Sequence, residues 1–128
     1  VKKDILIDGK PVPFVANGAT PWRYRARFHE DIFKDISRLT EDFSKAQVID
    51  GNGSVSLLEI DSLEAFEKIA YIMAKQADPD IPDDPAEWLE RFEFFSIYEV
   101  LPEILGLWNL NLEQKSEAKK NIEKQIGR

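Results

Sequence analysis

The chain has 128 residues, 43% of them hydrophobic and 32% charged, with a formal net charge of −7 and no cysteine. That length suits one domain with a real core, and the lack of cysteine excludes disulfides and thiolate metal sites. No apolar run approaches the roughly 20 residues needed to cross a bilayer, and the opening residues lack the basic-then-apolar pattern of a secretory signal.

Residues 3–15 read as a β-hairpin turning at Asp8-Gly9, because both positions of a tight two-residue turn need positive φ. Ile5, Ile7, Val12 and Phe14 then share one face. In that register Ile7 and Lys10 form the hydrogen-bonded pair beside the turn, so the backbone nitrogens of Pro11 and Pro13 point away from the partner strand. Neither proline removes a hairpin bond, and both deny the outer edge a donor.

Thr20 and Pro21 mark a helix start, Thr20 as the cap of free amides and Pro21 at the first helical position. From residue 21 to about 44, Phe28, Ile32, Ile36, Leu39 and Phe43 recur at three- and four-residue steps, with Tyr24 joining their face. In an unbroken helix Arg25 and His29 would fall inside that apolar stripe, while Arg23 and Arg27 lie on the polar side. Two arrangements accommodate the misfit: a bend near residues 28–31 that turns Arg25 outward, or a carboxylate that holds it. The carboxylate could come from residues 87–103 or from a partner.

Asp50-Gly51-Asn52-Gly53-Ser54 signals a turn or loop within residues 46–58. Asp61 with Glu64 opens a second helix over 61–77, with Leu63, Phe66, Ala70, Met73 and Ala77 as its buried stripe. The prolines at 79, 82 and 85 exclude a regular helix and make a rigid connector. Asp84 then caps a short helix over 85–93, with Trp88, Leu89 and Phe92 on its apolar face. Ser96 and Glu99 form a capping box for a helix over 96–109, whose apolar face runs from Ile97 to Trp108 and which Pro102 bends slightly. Residues 112–128 are a lysine-rich helix or tail. The fold expected is mainly α with a small N-terminal β-hairpin (α+β): four to five helices around one core, with residues 1–111 as a single globular domain.

Charge is unevenly spread. Residues 59–103 carry thirteen acidic and three basic side chains, against eight and nine in residues 1–58 and three and five in residues 104–128. Such a block repels a phosphate backbone, which argues against nucleic acid as the main partner and for a basic protein surface. A solvated face that keeps the chain dispersed accounts for the same block.

Catalytic patterns are missing. His29 is the sole histidine, and there is no phosphate loop, nucleophile elbow or histidine pair for zinc, so neither an enzyme nor a cofactor is expected. An EF-hand loop from Asp78 would need glycine and glutamate where Asp83 and Leu89 stand. The carboxylates Glu87, Glu90 and Glu93 lie along an exposed helix side. Trp88, Phe92, Phe94, Phe95, Tyr98 and Trp108 are first of all a core cluster, but they are more large rings than two short helices readily bury. Some are therefore expected at an interface, Trp88, Phe92, Phe95, Tyr98 and Trp108 being the candidates, with Trp22, Arg23, Arg25 and Arg27 on the first helix.

Three segments together resemble the tail assembly chaperones of long-tailed bacteriophages and prophages. They are the hairpin Ile5-Leu6-Ile7-Asp8-Gly9-Lys10, the Gly18-Ala19-Thr20 start followed by Arg23-Tyr24-Arg25 and Phe28, and the stretch from Glu87-Trp88-Leu89 to Ile97-Tyr98-Glu99-Val100-Leu101-Pro102, ending near Trp108. His29 stands where the resemblance implies glycine. The resemblance implies a non-enzymatic protein of the host cytoplasm, absent from the finished virion, that self-associates and binds the tape measure protein. A frameshift-extended form would recruit tail tube subunits, with the lysine-rich C-terminus near the join. The alternative is a small acidic adaptor or regulatory domain unrelated to phage, with a groove near Trp88, Phe92 and Trp108 for a partner helix.

Overall fold

A computed structural model describes residues 1–46 and 60–126. It is mainly helical with an N-terminal two-stranded hairpin. The strands are β1 (Lys2–Ile7) and β2 (Lys10–Val15); the helices are α1 (Thr20–Phe28), α2 (Ile32–Ala46), α3 (Ile60–Ala77), α4 (Pro85–Leu89) and α5 (Ile97–Ile126). Most of the 46–58 loop expected from sequence lies outside the described residues.

The hairpin has the expected register, with Ile7 opposite Lys10 and Ile5 opposite Val12. Asp8 and Gly9 adopt φ of 54° and 75°, the left-handed pair a primed turn requires. Ile5, Ile7 and Phe14 are buried and Val12 is half-buried. β2 packs on α3 and β1 on α5.

The start of α1 differs from expectation. Ala19 occupies the cap position without a side-chain bond, because the buried Thr20 hydroxyl turns inward and donates to Gln76 Oε1 at 2.6 Å. Asn17 serves the entry instead, its Oδ1 accepting from the Ala19 amide at 2.9 Å and from Gln76 Nε2 at 3.1 Å.

Nor do residues 21–44 form one helix. α1 stops at His29, whose φ of 58° is left-handed and whose amide donates to the Arg25 carbonyl at 2.8 Å. Asp31 Oδ1 then accepts from the Phe33 amide at 2.9 Å, serving the first free donors of α2 as a cap does. Of the two arrangements expected for Arg25, the chain takes the bend, which leaves Arg25 exposed; among the described residues it makes no ion pair with a carboxylate of residues 87–103 or any other. Desolvating an arginine on the stripe would have been costly; a local break solves the misfit without a counterion. Since a left-handed residue other than glycine is strained by roughly 1–2 kcal/mol, His29→Gly is expected to raise stability by up to about 1 kcal/mol in denaturant titration.

α3 is central. The single stripe expected for it widens to nearly the whole circumference, with Ile69, Tyr71, Ile72 and Ala74 buried beside Phe66, Ala70 and Met73. The hairpin, α1, α2, α4 and α5 all pack around it. Its C-terminal end anchors the proline connector: Tyr71 Oη donates to the Pro82 carbonyl at 2.6 Å, and Lys75 Nζ donates to the carbonyls of Pro79 at 2.8 Å and Ile81 at 2.7 Å.

Asp84 caps α4 as expected, accepting from the Ala86 amide at 3.2 Å. α4 ends at Leu89, four residues before the expected 93, because Phe92 and Phe95 stack on each other at 5.6 Å and both meet Trp88, a packing that takes the chain off the helical path. Asp8 Oδ2 accepts from the freed Glu93 amide at 2.8 Å. At α5 the Glu99 amide, which a capping box would give to the Ser96 hydroxyl, donates instead to the Ser96 carbonyl at 3.3 Å, beside the first regular helical bond from the Val100 amide at 2.9 Å. This helix passes the expected end at 109 and its backbone stays helical to Ile126, consistent with a stretch rich in Leu, Glu, Gln and Lys that lacks Gly and Pro. Among the described residues no helix is long and apolar enough to cross a membrane.

Candidate interaction surface

The nine residues singled out from sequence separate into four places. Trp22, Arg23 and Arg27 line one open groove of about 610 Å³ between α1 and α3, with Tyr71, Ile72 and Lys75 opposite and Pro79 and Asp83 at one end. Arg25 is exposed on the same helix. α1 can present this face because its anchors are few: only Thr20 and Tyr24 are buried.

Polar bonds link the lining residues of the groove. Lys75 Nζ pairs with Asp83 Oδ1 at 2.9 Å, which with Arg27 nearby holds the Asp83 carboxyl below the usual range. Arg27 donates to the Asp83 carbonyl and lies over the Tyr71 ring, 5.7 Å from its centroid. The carboxylates of Asp78, Asp83 and Asp84 are thus in structural use, Asp78 accepting from the Asp80 amide at 3.1 Å and Asp84 capping α4. Among the described residues no three His, Cys, Asp or Glu side chains gather as a metal site would need.

Trp88 and Trp108 are core residues, 1% and 3% exposed, so the open groove expected around them with Phe92 is not formed. Trp88 meets Phe14, Tyr71, Phe92 and Phe95 edge-on. With Phe92 it floors a hollow of about 330 Å³ beneath β2, whereas Trp108 belongs to a separate hollow of about 350 Å³ with Pro21, Phe33 and Leu112. Phe95 is half-buried and stacks on Phe66 at 5.3 Å. Tyr98 is exposed and tilts on Phe43 at 6.0 Å. Phe14 and Tyr71 meet Trp88 and Phe66 meets Phe95, so rings from the hairpin and α3 take up part of the aromatic excess.

Sequence reasoning missed two features. Phe33 is half-exposed and pairs with Trp108 at 5.4 Å; an aromatic one residue off the α2 stripe was the available signal. Asp35 is buried, and Tyr24 Oη donates to its Oδ2 at 2.6 Å while Arg38 bridges its Oδ1 at 3.1 Å. Burial, reinforced by Asp35, pushes the Tyr24 hydroxyl far above its ordinary range. Beside them Lys68 pairs with Glu30 at 2.9 Å, which holds the Glu30 carboxyl down.

Comparison of the chain with protein-family models, curated proteins and solved structures finds no match in any of the three.

Proposed function

We propose that the protein is a tail assembly chaperone of the long-tailed phage type, which binds the tape measure protein and self-associates during tail morphogenesis in the host cytoplasm. The observation that carries this reading is the exposed face of α1. Trp22 is 59% exposed and Arg23, Arg25 and Arg27 stand beside it, a combination enriched at protein interfaces and uncommon on inert surfaces. A chaperone that must release its client needs such open anchors rather than a closed pocket. The left-handed His29 adds support, since the resemblance implies glycine there and this conformation is the one glycine serves best.

Co-expression with the tape measure protein of the same genome is expected to yield a soluble complex, reduced by pairing Trp22→Ala with Arg25→Glu. Client solubility that is unchanged by the wild-type protein would sink the proposal. Tail tube subunits are expected to join only when an extended form is supplied.

A further inference from the structure

We infer that the groove between α1 and α3 binds an acidic peptide segment carrying an aromatic or large apolar side chain. This rests on the reading of α1 as a client-binding face and adds the chemistry of the client segment.

Charge is the first argument. The whole chain has a net charge of −7, yet residues 22–27 hold three arginines and no acid. Lys75 is neutralised locally by Asp83 at 2.9 Å. Arg27 donates to a neutral carbonyl, that of Asp83, and rests on the Tyr71 ring. Arg23 makes no ion pair among the described residues. Two guanidinium groups thus line the groove without a bridging carboxylate of their own, and each can take a carboxylate in a two-pronged hydrogen bond.

Shape is the second. Trp22 stands at the rim, and Ala26 and Ile72 contribute apolar wall to a groove of about 610 Å³. That volume lies within the roughly 300–1,000 Å³ of clefts that enclose compact ligand groups. A side chain of one large residue fits there with its flanking carboxylates on the arginines. A polyphosphate chain is disfavoured, because a continuous polyanion would run onto Asp80 and Asp84, exposed along the neighbouring connector, whereas a peptide places its few carboxylates on the arginines alone.

The test uses the full chain and a short fluorescein-labelled peptide with one tryptophan flanked by glutamates, read by anisotropy. Saturable binding is expected, weakened about tenfold or more by Arg23→Glu and by Trp22→Ala, and falling with added salt. The same peptide with lysines in place of glutamates is expected to bind at least about tenfold more weakly. Equal binding by Arg23→Glu, equal binding of the lysine peptide, or full competition by inorganic polyphosphate would each overturn the inference. Both positions are exposed, so unchanged thermal unfolding of the two variants confirms that lost binding reflects the groove. A soluble tape measure complex without glutamate-peptide binding overturns this inference and leaves the chaperone reading standing. Peptide binding without client solubilisation does the reverse.

Discussion

Replacing Trp88 with alanine is expected to lower the free energy of unfolding by about 3–5 kcal/mol, the largest loss from any single exposed-or-buried ring in the chain. The indole is 1% exposed and touches rings from three separate segments. Phe14 of β2 lies 6.3 Å away, Tyr71 of α3 6.0 Å, and Phe92 and Phe95 of the turn after α4 5.3 and 5.5 Å, all edge-on. Each such pair adds roughly 0.5–1.5 kcal/mol beyond burial, and truncation removes all four while leaving a cavity that a hairpin and a helix cannot both collapse into. Against a domain stability of about 5–15 kcal/mol the loss approaches global unfolding. Thermal unfolding should show a fall of roughly 10–20 °C. Trp22→Ala is the control, expected within about 0.5 kcal/mol of wild type because the ring is on the surface. Similar losses from the two variants would overturn the placement of Trp88 at the centre of the core.

Replacing Asp35 with alanine is expected to cost about 2–3 kcal/mol, although a surface aspartate on a helix would be nearly neutral. The carboxylate is buried, accepts from Tyr24 Oη at 2.6 Å and bridges Arg38 at 3.1 Å. Its loss strands a buried hydroxyl and unlocks α1 from α2 across the bend at His29. A double-mutant cycle with Tyr24→Phe should give a coupling energy clearly above zero; additive losses would show that the pair does not act as a unit. The same pair sets the alkaline limb of stability. Burial, then Asp35, raises the Tyr24 hydroxyl pKa above the ordinary value near 10. The folded state therefore keeps a proton that the unfolded chain releases, so this contribution is complete below pH about 10 and declines above it, by about 1.4 kcal/mol per pH unit. Tyr24→Phe should flatten that decline. Tyr71, raised by burial as well, leaves a remainder. An unchanged alkaline limb in Tyr24→Phe would refute the assignment.

The lone histidine illustrates how far local patterning carries. Periodicity placed Arg25 and His29 on the wrong side of a helix, which identified the misfit but offered two remedies. The chain takes the bend, because a left-handed residue is cheaper than a buried guanidinium seeking a counterion. The candidate surface was half legible for the same reason. Trp22, Arg23 and Arg27 stand out in the sequence as aromatic and cationic residues, whereas Tyr71, Ile72 and Lys75 face them from a helix more than forty residues away. Nothing at short range links the two sets.

The sequence by itself determined what depends on neighbours a few residues apart: the Asp8-Gly9 turn and its register, the Asp84 cap, the N-terminal hairpin followed by helices, and the concentration of arginine near one turn of helix. Tertiary structure alone decided which surfaces remain open. It enclosed α3 on nearly every side, took Trp88 and Trp108 but not Tyr98 from the aromatic cluster into the core, turned the Thr20 hydroxyl to Gln76 and buried Asp35 against Tyr24. Burial is a sum over contacts between segments distant in sequence, and a periodic pattern identifies an apolar face without saying how many others will cover it.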